Sequence, residues 1–274
     1  MSRAYDLAVL GSPVSHSLSP VMHRAGLEAL GLEGSYEAID VDEAGMARQA
    51  ARVRAGHLTG ANVTLPHKRI AAALADERTT TAARAGAVNT WYVAEGRLMG
   101  DNTDVHGVRV VLSRRSLPGD RILLLGSGGA AAAALVACEG TSITVSARSM
   151  EKAHRLVEET GVEARVVPWG SAVLGAVILN ATPIGMRGEV LPKGLTAAAT
   201  GLFDMTYGWG PSPALRETSA RGLPTADGID LLAAQAEESF RIWTGLAPPA
   251  DLFERVARNA SRTTNSPPIQ EGSE

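Results

Sequence analysis

Ile122-Leu123-Leu124-Leu125-Gly126-Ser127-Gly128-Gly129-Ala130-Ala131 is the stretch that decides the fold. An unbroken aliphatic run suits a strand buried on both faces of a parallel sheet, and this one passes directly into a G-x-G-x-x-A loop that opens an alanine-rich helical pattern. Small residues let the backbone approach a pyrophosphate, and the unpaired amides at the following helix start point at it. Glycine turns between strand and helix are common, so the loop takes its meaning from its flanks. Ile143-Thr144-Val145-Ser146 reads as the next strand. It ends in Ala147-Arg148-Ser149, where an NAD-binding fold places an acid on the ribose hydroxyls; a cation there suits a 2′-phosphate. Arg148 taken alone also fits a solvated loop cation.

Upstream the pattern alternates between strand and helix without repeats. Leu7-Ala8-Val9-Leu10, Tyr36-Glu37-Ala38-Ile39 and the segment from Ala61 to Leu65 read as strands. Pro20 to Leu30, Glu43 to Ala55 and Lys68 to Leu74 read as helices. These α/β units build a first domain. A helix from Asp104 to about Ser113 leads through Pro118-Gly119-Asp120 into the aliphatic strand, near which a second domain starts. At 274 residues the chain exceeds the usual single-domain size.

Composition narrows the class. Charged residues make up 20% of the chain and the formal net charge is -3, which gives no basic field for a phosphate backbone, so a nucleic-acid partner is not expected. No apolar run reaches the length of a membrane span, and Met1 to Asp6 precedes a strand pattern instead of the apolar core of a signal peptide. A cytoplasmic protein without membrane partners is the expectation. Cys138 is the single cysteine; it lies in an alanine-rich helix pattern and reads as a buried structural thiol. No cysteine and histidine spacing suggests a metal site.

Candidate chemistry lies in Asn62-Val63-Thr64-Leu65-Pro66-His67-Lys68. Side chains alternate along a strand, so Asn62 and Thr64 share one face while Val63 and Leu65 point to the other, buried one. Pro66 presets a turn or first helical position, which brings Lys68 to a helix start. Gly100-Asp101-Asn102-Thr103-Asp104 is a turn-rich loop opening another helix. Asp104 read alone is an N-cap; paired in space with Lys68 it forms a dyad for proton transfer to an alcohol or carbonyl oxygen. His16, His23 and His67 adjoin these motifs, but a lone histidine flanking a helix is more often structural or solvated than a catalytic base.

These segments, with Ser15-His16-Ser17-Leu18-Ser19-Pro20, Gly86-Ala87-Val88-Asn89-Thr90, Asn180-Ala181-Thr182-Pro183-Ile184-Gly185-Met186, Asp204-Met205-Thr206-Tyr207 and Gly228 through Gln235 followed by Ser239-Phe240 and Trp243-Thr244-Gly245, make the chain resemble the shikimate dehydrogenases nearly end to end. The resemblance implies a two-domain α/β fold with an interdomain cleft. Residues 1–103 plus about 229–260 would form the substrate domain and 104–228 a Rossmann-type NADP-binding domain, leaving 261–274 as a disordered tail. It implies reversible, NADPH-dependent reduction of 3-dehydroshikimate to shikimate, on the route to chorismate and the aromatic amino acids, by a monomer or homodimer.

Carried over residue by residue, the resemblance gives Lys68 and Asp104 to catalysis. Ser17, Ser19 and Tyr207 go to the ring carboxylate, and Asn62, Thr64, Asn89, Asp104 and Gln235 to the ring itself. Gly126, Ser127, Gly128, Gly129, Ala130, Ala147, Arg148, Ser149 and Lys152 go to the nucleotide, with Thr182, Met205 and Gly228 near the nicotinamide. Ala147 replaces the asparagine usual in that loop. On the residues alone Ser17 and Ser19 are equally helix caps, Asn89 and Thr182 turn residues, Met205 core, and Tyr207 an interface tyrosine. Gln235 is more telling, at the border of the apolar stripe of Ile229, Leu232, Ala233, Ala236, Phe240 and Trp243.

A quinate or aminoshikimate dehydrogenase using NAD or NADP, and a non-catalytic metabolite sensor on the same fold, are the alternatives. Ser17 and Arg148 weigh against the first, and the Lys68 and Asp104 pair against the second. Because ring and nucleotide residues fall in different domains, the cleft is expected to narrow on binding. Its hinges would lie near Val105 to Gly107 and near Gly228, unless the flanking helices stiffen them.

Overall fold

The computed structural model describes residues 4–208 and 210–264. Its N-terminal part holds β1 (Tyr5–Gly11), α1 (Ser19–Ala29), β2 (Gly34–Asp40), α2 (Glu43–Arg54), β3 (Gly60–Val63), α3 (Lys68–Leu74), β4 (Glu77–Arg78), α4 (Thr80–Ala85), β5 (Thr90–Ala94) and β6 (Arg97–Asp101). The strands form one six-stranded sheet in the order β2-β1-β3-β5-β6-β4. It is parallel through β2, β1 and β3, and antiparallel where β5 meets β3 and β6. Residues Leu7 to Leu10, on the second strand in, are at most 2% exposed. Their unbroken aliphatic character follows from burial on both faces.

From α5 (Thr103–Arg114) the chain enters β7 (Arg121–Leu125), α6 (Gly129–Ala137), β8 (Ser142–Ala147), α7 (Met150–Thr160), β9 (Arg165–Pro168), β10 (Val177–Asn180), α8 (Leu195–Ala198), β11 (Gly201–Asp204), α9 (Pro213–Ala220) and β12 (Thr225–Ala226). This second sheet is parallel throughout, in the order β9-β8-β7-β10-β11-β12. Numbered from β7, that is the doubly wound order 3-2-1-4-5-6, whose crevice opens between its first and fourth strands. Ile122 to Leu125 are at most 1% exposed, and Ala131 to Val136 of α6 are all buried, so this helix is apolar all round because it is packed all round.

Two helices close the chain: α10 (Gly228–Thr244) and α11 (Leu252–Thr264). A reciprocal capping box starts α10, with the Asp227 carboxylate accepting from the amides of Ile229 and Asp230 while the Asp230 carboxylate accepts from the Asp227 amide; Gly245, at φ 74°, ends it. Its far end returns to the first sheet, where Trp243 Nε1 donates to the Trp91 carbonyl at 3.0 Å. A Cβ on Gly60 would lie 2.1 Å from that indole nitrogen, so a glycine is required in β3 for α10 to dock.

Several expectations change. β3 stops at Val63; Leu65 lies beyond the strand and is 73% exposed, not buried, because the pleat that would alternate its side chain inward has already ended. The N-cap of α5 is Asn102, so Asp104 is a residue of its first turn. Residues 261–264 are the last turn of α11, not the start of a tail, and 265–274 lie outside the described residues. The glycines at the two expected crossings are points of close approach. A Cβ on Gly107 would lie 2.9 Å from Leu231 Cδ1, and one on Gly228 would lie 2.5 Å from the carbonyl of Thr206; neither glycine has a positive φ.

Candidate active site

Lys68 is the first residue of α3 and Asp104 the second of α5, and the two helix starts face each other. Lys68 Nζ donates to Asp104 Oδ2 at 2.5 Å, with the side chains 24% and 15% exposed. A charge-assisted bond in that half-excluded setting is stronger than a surface pair, yet one side stays open to a ligand.

Behind the pair runs a buried polar network. Asn89 Oδ1 accepts from the Thr103 amide at 2.8 Å and from the Thr103 and Thr90 hydroxyls at 3.2 and 3.1 Å. A backbone donor fixes this end of the amide as oxygen. Asn89 Nδ2 has no partner among the described residues and is left for a ligand. Gln235 Oε1 lies 3.3 Å from the same Thr103 hydroxyl, an alternative acceptor for its one proton, while one Nε2 hydrogen goes to the Leu232 carbonyl at 2.9 Å, leaving the other. Asn62 differs. Its Oδ1 accepts from Tyr36 at 2.7 Å and its Nδ2 faces the Asn89 carbonyl, Thr90 and Ser239 at 3.0–3.1 Å, so the amide is taken up by the scaffold and it is 5% exposed. The Thr64 hydroxyl makes no hydrogen bond among the described residues.

Ser17 and Ser19 frame the start of α1, where Ser17 Oγ accepts from the Ser19 amide at 3.3 Å. Ser19 is buried near Tyr36, whose hydroxyl is raised well above its ordinary pKa by burial, against an opposing effect of that serine. Tyr207 follows β11 and leans on the start of α10, since the Gly228 amide donates to the Thr206 carbonyl at 3.0 Å; burial raises its hydroxyl too. Of the three histidines near the motifs, His23 is wholly buried and unpartnered, and the His67 ring bonds the Val41 carbonyl at 2.6 Å. Neither approaches the role of a base.

The glycine loop sits between β7 and α6, at the crevice of the second sheet. Gly126, at φ 114°, backs onto the Ala181 carbonyl and Thr182 Cγ2, whereas a Cβ on Gly128 or Gly129 would meet nothing within 4 Å. Open space in front of an α6 start that has no side-chain cap could hold a diphosphate, with Ser127 and Ala130 at its rim. One strand over, Ala147 is buried at the end of β8, and Ser149 caps α7 by accepting from the Lys152 amide at 3.2 Å. Arg148 and Lys152 are exposed and form no ion pair among the described residues. Two uncommitted cations, with no acid at the end of β8 and with Glu151 of the same turn paired to Arg155, suit a 2′-phosphate better than a bare ribose. On the other side Thr182 Oγ1 donates to Asn180 Oδ1 at 2.7 Å and the Met205 amide donates to the Asn180 carbonyl at 3.0 Å. Asn180 and the buried Asp204 thus hold both strand ends, and burial raises the Asp204 pKa.

The structure therefore brings together Lys68 with Asp104, Asn89 with Gln235 and Asn62, and the glycine loop with Thr182. Sequence reading missed Tyr36, Thr90, Thr103 and Ser239 as network members. The available signal was the serine four residues after Gln235, on the same helical face and within an otherwise apolar stripe. Among the described residues no helix is long and apolar enough to cross a membrane, and no cluster of three or more His, Cys, Asp or Glu residues is placed to hold a metal ion.

Residues 9–91 match the family model of the shikimate dehydrogenase substrate binding domain, and residues 228–258 that of the shikimate 5'-dehydrogenase C-terminal domain. The chain is 40% identical over 259 residues to the shikimate dehydrogenase (NADP(+)) of Thermus thermophilus, an alignment that covers 92% of this chain and 97% of that one. A solved Thermus thermophilus shikimate 5-dehydrogenase in complex with NADP(H) and shikimate superposes with a TM-score of 0.85 at 39% identity, covering 93% of this chain and 99% of that one. A 5-ketofructose reductase of Gluconobacter also superposes at 0.85, with 26% identity, covering 94% and 99%. With this identity sustained over nearly the whole length and the two-sheet architecture in common, the chain belongs to the shikimate dehydrogenase family.

Proposed function

We infer that this chain catalyses the reversible, NADPH-dependent reduction of 3-dehydroshikimate to shikimate. The observation that carries the reading is the Lys68 and Asp104 pair at 2.5 Å, taken with the Asn89 amide nitrogen and the second Gln235 Nε2 hydrogen that the fold leaves unused. NADP, when bound along the glycine loop, supplies or takes the hydride at ring carbon C3. The protein handles the proton. Lys68 gives it to the C3 oxygen as the carbonyl becomes an alcohol, and Asp104 orients the ammonium and accepts from the same hydroxyl. Acting as a unit, the two exchange the proton in the oxidative direction.

Thr64, Asn89 and Gln235 bind the remaining ring hydroxyls, and Ser17, Ser19 and Tyr207 the carboxylate. Arg148 and Lys152 hold the 2′-phosphate. In this reading residues 1–103 with about 229–260 form the substrate domain, and 104–228 bind the nucleotide, in a cytoplasmic enzyme. Relatives curated as NADP(+)-dependent and the cations after β8 support NADP over NAD.

Turnover of shikimate and quinate with each nicotinamide cofactor tests the assignment, with shikimate and NADP expected to be the best pair. Lys68→Ala should lower kcat by about 10²- to 10⁴-fold, the range for a positioned acid/base group, with a smaller effect on shikimate affinity. Near-normal turnover by the folded variant would remove Lys68 from the chemistry.

A further inference from the structure

We propose that the buried Asp204 carboxylate makes the nucleotide site prefer the oxidised cofactor, its negative charge favouring the cationic nicotinamide ring over the neutral reduced one. The proposal rests on the functional reading above, which brings the nicotinamide to the strand ends after β10 and β11. Asp204 ends β11 with no exposed surface and forms no ion pair among the described residues. Four donors surround it instead. Oδ1 accepts from Asn180 Nδ2 at 3.0 Å, the Thr206 amide at 3.2 Å and the Thr206 hydroxyl at 2.8 Å, and Oδ2 accepts from the Ser212 hydroxyl at 2.6 Å. Each of these protons is spent once: the second Asn180 hydrogen goes to the Ile184 carbonyl, and Ser212 Oγ takes the Leu215 amide on a lone pair. Burial raises the Asp204 pKa, and all four hydrogen bonds oppose it. A proton on Oδ2 would face the Ser212 hydroxyl and strand that hydroxyl's own proton, so the cluster favours the ionised acid, and neutral donors do not cancel its charge.

This charge lies at the edge of the crevice. Asn180 Oδ1 takes the Thr182 hydroxyl at 2.7 Å, and Thr182 packs against the glycine loop, where a Cβ on Gly126 would lie 3.2 Å from Thr182 Cγ2. Thr182 and Met205, the residues read as neighbours of the nicotinamide, are thereby one hydrogen bond from Asn180 and one peptide bond from Asp204. Glu189, on the loop after Thr182, is also anionic and accepts from the amides of Gly185 and Arg187, but it is exposed, where water and salt screen it. A charge held in the interior acts well beyond contact distance. Hydride transfer to the carbonyl leaves positive charge on the nicotinamide ring, which the same carboxylate stabilises as it develops.

Equilibrium binding of NADP+ and of NADPH to wild type and Asp204→Asn, measured by calorimetry alongside melting curves, tests this without turnover. Asparagine has the shape of the protonated acid: its Oδ1 accepts from Asn180 and Thr206 and its Nδ2 donates to Ser212 Oγ, so the charge is lost while the surrounding fold is kept. The expected result is a Kd ratio, NADP+ over NADPH, raised about tenfold in the variant, with the Kd of 2′,5′-ADP, which carries no nicotinamide, within about twofold of wild type. Should Asp204→Asn not fold, Asp204→Ser, neutral and still able to bond Asn180, is expected to raise the same ratio. An unchanged ratio in a folded variant overturns the proposal, whether both affinities are kept or both fall together. Wild-type protein that binds neither form would instead overturn the functional reading beneath it.

Discussion

Acid should destabilise this protein through His23, and the size of the effect follows from where the ring sits. His23 lies on α1 with no exposed surface, its plane 2° from that of Tyr36 at 4.3 Å between centroids, walled by Trp243 and Phe253 at 5.3 Å and Phe240 at 6.1 Å. Neither ring nitrogen has a partner. Burial lowers its pKa from 6.5 to about 3, so the folded protein keeps it neutral where the unfolded chain protonates it. Below pH 6.5 the unfolded state binds more protons, so stability falls with pH through the window from 6.5 down to about 3 and is level with respect to this group on either side. Integrating the two titrations gives a loss of about 2 kcal/mol by pH 5 and about 5 kcal/mol in full. In a chain of this size about 2 kcal/mol corresponds to a fall of roughly 4–8 °C in Tm.

Because carboxylates such as Asp204 and Asp230 titrate as well, the informative quantity is the difference between wild type and His23→Leu, measured by urea unfolding at pH 7 and pH 5. The variant should lose less stability over that interval by about 2 kcal/mol. At neutral pH the change should be small, since losing the stacked ring is offset by removing an unsatisfied N–H, itself worth about 1–3 kcal/mol. Parallel pH dependences in the two proteins, or an NMR titration of the folded His23 ring near pH 6.5, would refute the reasoning.

Arg148→Ala should weaken NADP far more than NAD, because only NADP carries the 2′-phosphate that a guanidinium binds by charge-assisted hydrogen bonds; equal losses for both cofactors, read from their KM values, would point to damage of the loop. Gly228→Ala would force a Cβ to within 2.5 Å of the Thr206 backbone, which cannot yield as a flexible side chain would. A stability loss of about 1–3 kcal/mol is expected, together with a raised shikimate KM as Tyr207 is displaced; an unchanged melting curve would show that the junction is looser than its geometry implies.

Much of the architecture was legible because its signals are local. The aliphatic run into Gly126-Ser127-Gly128-Gly129-Ala130 declared a strand, a glycine loop and a helix within ten residues, and α2 and α3 fell within a residue of their expected spans, since periodicity and capping are written in neighbouring side chains. The cation after β8 was equally plain. Missed were the β5 and β6 hairpin and the two-residue strands β4 and β12, which are too short to carry a period and exist because a neighbour supplies their hydrogen bonds.

By itself the sequence determined that polar residues recur at strand ends and helix starts, and through its motifs which family the chain belongs to. Only the tertiary structure decided what each of them does. Asn62 and Asn89 look alike in the sequence, yet one amide is enclosed by Tyr36, Thr90 and Ser239 and the other keeps a free nitrogen. Leu65 sits in an apolar position and ends in the open. Ser239 reads as a polar interruption of a buried helix face until it meets Asn62, 177 residues away, at 3.0 Å. Hydrogen bonding is directional and short-ranged, so whether a side chain serves a ligand or the scaffold depends on partners that folding alone brings within 3 Å.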